Sequence, residues 1–149
     1  MKPKTTWILI ADGTQARVVN YVGPDIPLQT VEDMVFSQEA LRAQDIVTDR
    51  PGRAFQSVGS ARSGYEPQTD PVDKTETDFM KDVAGRLNAE HQRGTFDRLV
   101  IAAAPQALGD LRQALSDQAR SAVLAELPKN LTNIPTDQLP RHFREVLAV

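Results

Sequence analysis

The sequence predicts an α/β fold, in which three strands form an antiparallel meander and two strand–helix crossover units and a closing helix follow. Three observations carry this reading. The first 36 residues hold three β-rich segments separated by turn residues, residues 70–147 alternate helical apolar stripes with short apolar runs, and the stretch between them has neither period.

Trp7-Ile8-Leu9-Ile10-Ala11 is wholly apolar, as a strand covered on both faces must be. Asp12-Gly13 signals a tight hairpin turn with positive φ, and Ala16 to Val22 resumes β-type residues. Gly23-Pro24 and Pro27 break the chain before a third strand over 28–36. Asp70-Pro71 reads as an N-cap and first helical residue, with Asp73 and Glu76 near the positive helix end. Val72, Phe79, Val83 and Leu87, flanked by Met80 and Ala84, form a stripe running to about His91, and Gly94 ends it. Residues 98–104 make a buried strand stopped by Pro105. Leu108, Leu111 and Leu115 give the next helix its inner face. Residues 121–127 form the last strand, and Leu139, Phe143, Val146 and Leu147 mark a closing helix with Pro140 in its first turn. The order β-β-β-α-β-α-β-α gives a mixed five-stranded sheet with flanking helices and matches a ribonuclease H-like fold.

The composition suits one soluble domain over residues 1–149: 40 % apolar, 25 % charged, with a formal charge of −3. The absence of cysteine excludes a disulfide framework, a thiolate nucleophile and a cysteine-ligated metal. No apolar run reaches the ~20 residues of a membrane span, and Trp7–Ala11 is too short for a secretory leader, so no membrane insertion and a cytoplasmic location are expected. The near-neutral total gives no bulk nucleic-acid signal.

Two segments are candidates for function. In Asp12-Gly13-Thr14-x-x-Arg17, an aspartate follows the first strand, where nucleases of ribonuclease H-like fold hold a metal. Two-metal chemistry needs further carboxylates converging from other elements. The central strand ends Ala102-Ala103-Ala104-Pro105, with no acid. The Asp-Gly-Thr turn is also similar to the phosphate loop of actin-like ATPases, which need two such domains, more than this length holds. Asp12, Gly13 and Arg17 are therefore read as a structural hairpin, and no catalytic residue, metal ligand or cofactor is assigned.

The second candidate is 50–65, which carries Arg50, Arg53 and Arg62, three glycines and no acid. A loop of this length within a domain is either functional or a mobile connector. Its arginines suit phosphate contacts, its glycines allow close backbone approach, Phe55 offers a stacking face, and Gln56 lies near its centre. No Gly-Lys-Ser/Thr spacing supports a nucleotide triphosphate. His91 reads as a helix C-terminal residue, His142 as a solvent-facing one and Trp7 as core. The serines at 57, 60 and 63 lack a nucleophile elbow.

The hairpin Trp7 to Val18, Asp49-Arg50-Pro51-Gly52-Arg53, Asp70-Pro71, Ala103-Ala104-Pro105-x-x-Leu108-Gly109-x-Leu111-Arg112 and Glu126-Leu127-x-Lys129-Asn130-Leu131-Thr132 together resemble the bacterial host attachment protein family. Asn130 stands where that family is expected to carry aspartate. The family takes its label from attachment by plant-associated bacteria and implies no particular chemistry. More distantly, the chain is similar to the middle domain of archaeal and eukaryotic peptide release factors, which has a ribonuclease H-like fold without nuclease function. There a long loop carries Gly-Gly-Gln. Here it reads Gly52-Arg53-Ala54-Phe55-Gln56, without the double glycine, so Gln56 takes no release role from the motif.

Three functional readings follow. In the first, the chain is a non-enzymatic cytoplasmic binding protein contacting RNA or a ribosomal surface, with Arg50, Arg53 and Arg62 on phosphates and Gln56 near the loop tip. In the second it is a protein-interaction module acting indirectly in attachment, its loop ordering on a protein partner. The third is a metal-dependent hydrolase. Salt dependence separates the first two, since phosphate contacts weaken steeply with ionic strength.

Overall fold

The computed structural model describes residues 4–24, 26–38 and 71–147. Strand β1 (Thr6–Ala11) is buried along its whole length. It has to be, because it is the central strand of a five-stranded sheet ordered β3-β2-β1-β4-β5. β2 (Gln15–Tyr21) and β3 (Gln29–Ser37) complete the antiparallel meander. β4 (Arg98–Ala103) and β5 (Val123–Leu127) join it in parallel. This mixed order is compatible with the ribonuclease H-like expectation.

Strand alternation divides the apolar residues between two cores. Leu9, Ala11, Val18, Leu99 and Ile101 face helix α1 (Pro71–Gln92) and helix α2 (Pro105–Ala114). Phe79, Met80, Val83, Ala84 and Leu87 of α1 are buried there, as the helical spacing predicts. Ile8, Ile10, Val19, Val100 and Ala102 face the opposite way and are covered by Leu131, Leu139 and Phe143. Trp7 stacks on Phe96 at 4.8 Å and is core.

Helix α1 ends in a Schellman motif. Thr95 N–H donates to the Glu90 carbonyl and Gly94 N–H to the His91 carbonyl, both at 3.0 Å, with Gly94 at φ +80°. The Glu90 carboxylate is buried beside this cap. It accepts the Thr95 hydroxyl at 2.9 Å and pairs with Arg93 and Arg86 at 3.0 and 3.2 Å.

The structure corrects several expectations, among them the strand expected over 98–104, which ends at Ala103. Strand β3 runs 29–37, not 28–36. The last strand starts at Val123, because Ser116 accepts the Ala119 N–H through its side chain and caps a short helix α3 (Asp117–Ser121) ahead of it. The closing α-helix is instead two 3₁₀ turns, Thr136–Gln138 and Pro140–Phe143. Pro140 has no N–H to give an α-helical bond to Thr136, whereas i→i+3 turns on either side of it need none. Leu139 and Phe143 are nonetheless fully buried. His142 is half-buried, not solvent-facing, and its Nε2 is enclosed without a hydrogen-bond partner. Among the described residues, no helix is long and apolar enough to cross a membrane.

Candidate functional site

In an open α/β sheet, the carboxyl ends of the parallel strands are where crossing connections leave a crevice. Here three connections meet at that edge: Asp12 follows β1, Ala104 follows β4, and Asn130 to Thr132 follow β5. Asp12 is the centre of the group. Its Oδ1 accepts the N–H groups of Thr14 and Gln15 at 2.8 and 3.0 Å and the Thr14 hydroxyl at 3.0 Å. Its Oδ2 accepts the Thr132 hydroxyl at 3.0 Å and faces the Asn130 amide at 3.4 Å. Burial opposes the charge on this carboxyl, but the Thr14 N–H, the Thr132 and Thr14 hydroxyls and the Gln15 N–H outweigh it, so its pKa lies below the usual aspartate value.

The turn therefore works differently from the Asp-Gly hairpin the sequence suggests. Asp12 N–H donates to the Gln15 carbonyl at 2.9 Å, while the Gln15 N–H goes to the Asp12 side chain. The side-chain oxygen mimics a backbone acceptor. Among the described glycines only Gly94 has a left-handed φ, so Gly13 is not here for its backbone freedom. A Cβ at this position would meet the end of the flexible Glu76 side chain of α1, which can move aside.

Arg17 reaches away from the turn, across the sheet face. Its Nη1 donates to the Thr132 carbonyl at 3.0 Å and its Nη2 to the Ile134 carbonyl at 2.6 Å. Desolvation by burial holds the guanidinium below its ordinary pKa, and arginine stays protonated in proteins. Thr132 thus links the two hairpin residues, its hydroxyl on Asp12 and its carbonyl on Arg17. Asn130 Oδ1 in turn accepts the Thr132 N–H at 3.0 Å and lies 2.6 Å from the Thr132 hydroxyl, whose single proton it shares with Asp12.

Asn130, Thr132 and Glu76 were not singled out from the sequence as site residues. Asn-x-Thr, in which one side chain can bond the backbone two residues on, is the signal that was available. Among the described residues, no group of three or more His, Asp or Glu side chains is placed to hold a metal ion. Arg50, Arg53, Gln56 and Arg62 lie outside the described residues.

A family model described as "Protein required for attachment to host cells" matches residues 7–143. The chain belongs to that family. Its matched region takes in every strand except the first residue of β1, together with Asp12, Arg17, Asn130 and Thr132. No curated protein matches the chain. For this host-attachment family member, the aspartate expected at 130 is an amide, and the geometry shows the consequence: Asn130 presents a donor to Asp12 where a second carboxylate would repel it.

At the other end of the sheet, His91, Asn88 and Gln92 of α1 and Ser116 and Gln118 line a cleft of about 420 Å³. Both ends of the Asn88 amide are engaged, donating to the Ala114 carbonyl at 3.2 Å and accepting the Ser116 N–H at 2.8 Å. This asparagine fixes the bend between α2 and α3.

Proposed function

We propose that this host-attachment family member acts as a non-enzymatic binding protein that contacts RNA or a ribosomal surface through 50–65, with Arg50, Arg53 and Arg62 on phosphates and Gln56 near the tip. What supports the reading is the position of Gln38 and Glu76, which precede and follow that segment in the sequence. Gln38, just past β3, donates its N–H to the Thr14 carbonyl at 2.9 Å and its amide to the Gly13 carbonyl at 3.4 Å. Glu76, in the second turn of α1, lies over Gly13. Gln38 and Glu76 thus flank the Asp12 turn, at the edge where α/β sheets recruit ligands. Asp12 itself is a poor metal ligand, since both of its oxygens already accept hydrogen bonds within the protein. That weighs against a hydrolase.

The test is binding of a fluorescent single-stranded RNA and of purified ribosomal subunits across a salt series. Binding should fall steeply with ionic strength, and Arg53→Ala with Arg62→Ala should weaken it and reduce the slope by about two contacts. Salt-insensitive capture of a protein that survives ribonuclease would favour a protein-interaction module.

A further inference from the structure

Arg17 is a half-buried cation whose bonding is incomplete among the described residues. A guanidinium carries five N–H donors, and the carbonyls of Thr132 and Ile134 use two of them. Among the described residues, no carboxylate forms an ion pair with it. Asp12 is linked to it through Thr132, which donates its hydroxyl to Asp12 and offers its carbonyl to Arg17. Beside Arg17 lies a cavity of about 160 Å³. Arg17, Gln15, Ser37 and Thr132 supply its polar wall and Ile10 and Val35 its apolar one, while Phe36, whose side chain packs on the opposite face, borders it through its backbone.

We infer that this cavity is a binding site for a small monocarboxylate bearing a short apolar group. The guanidinium retains donors for a carboxylate, and that pairing is geometrically specific. The apolar wall suits an alkyl substituent and offers nothing to a fully hydrated oxyanion. The ionised Asp12, one threonine away, disfavours a dianion more than a monoanion, which selects carboxylate over phosphate. Pockets of this kind, mostly apolar with a few placed polar groups, are what small ligands use. The inference does not depend on the RNA reading, because it uses β1, β2, β3 and Thr132 alone.

The experiment is an NMR titration of the ¹⁵N-labelled full chain with isovalerate, isovaleramide and inorganic phosphate. Isovalerate should give saturable, millimolar shifts at the amides of Arg17, Val35, Phe36 and Thr132. Isovaleramide should give none, and phosphate should bind more weakly. Val35 is 56 % exposed on the edge strand, so its substitutions leave the core untouched. Val35→Asp should weaken isovalerate by about tenfold or more through like-charge repulsion, while Val35→Lys should retain or tighten it. Arg17→Gln should lose binding while its spectrum stays dispersed. Absence of isovalerate shifts, equal shifts from the amide, tighter binding of phosphate, or unchanged affinity in Val35→Asp would each overturn the inference.

Discussion

At the scale of single residues, one position is decided by electrostatics and one by backbone geometry. Asn130 presents its amide to Oδ2 of Asp12 at 3.4 Å. Replacing it by aspartate sets two carboxylates at that separation, and like charges so close cannot both ionise cheaply. Asn130→Asp should therefore cost about 1 kcal/mol at pH 7, with the loss recovered as pH falls towards 4 and one carboxyl takes a proton. Urea unfolding at both pH values measures it. A variant equally unstable at both would trace the damage to the lost amide donor and not to charge repulsion. Gly94 is simpler. Its φ of +80° closes the α1 cap with open space around it, so Gly94→Ala meets no clash and only backbone strain. The expected loss is about 1 kcal/mol, smaller for Gly94→Asn.

At the scale of elements, the C-terminal 3₁₀ turns have the weakest local support and the strongest tertiary one. They lack side-chain caps, yet they bury Leu139 and Phe143 completely against the sheet face opposite α1 and α2. Phe143→Ala should destabilise by about 3–5 kcal/mol and expose residues 131–147 to proteolysis before the rest of the chain. Resistance of that segment to protease in the variant would show that Leu131, Leu139 and Arg17 hold it without Phe143. The same segment shows why some of the molecule was legible from sequence and some not. β1, β4 and α1 could be read because burial on both faces, or along one helical stripe, imposes a period on consecutive residues. The final segment carries the right apolar residues, but Pro140 leaves them to 3₁₀ turns, and apolar spacing does not distinguish those from an α-helix. α3 was hidden because five residues are too few to show any period, and its only cue is the cap at Ser116. The candidate site was half legible. Asp12 and Arg17 were marked by their place beside the first turn, but Asp12 meets Asn130 and Thr132 across sequence separations of 118 and 120 residues. No local pattern encodes a contact of that range.

At the scale of the whole molecule, the sheet has two edges, and both are irregular. β5 shifts register against β4 at Leu124, and β3 shifts against β2 between Arg17 and Val19. Bulges of this kind twist an edge strand away from pairing with another chain, which suits a strand that leaves Leu124 and Val35 about half exposed. Two carboxyls at opposite ends of the sheet link this architecture to pH. Glu90, at the end of α1, has its pKa lowered first by the Thr95 hydroxyl and then, against the cost of burial, by Arg86 and Arg93. Asp12, at the carboxyl edge, is lowered by its bonds to Thr14, Thr132 and Gln15 despite burial. For a group whose folded pKa is depressed, the stabilisation is present above the unfolded value, 4.5 for Glu90 and 3.8 for Asp12, and is lost as pH falls through the folded value. Stability should therefore be level from pH 7 to about 5 and drop below 4.5. Glu90→Gln and Asp12→Asn should each lower stability at pH 7 and converge on the parent protein at pH 2–3, where the parent's own carboxyls are protonated. The two groups share no partner and lie at opposite ends of the sheet, so their losses should add in the double variant to within about 0.5 kcal/mol. A clear departure from additivity would mean that the two ends of the sheet are coupled through its core, and a variant whose deficit persists undiminished at pH 2–3 would trace it to packing and not to charge.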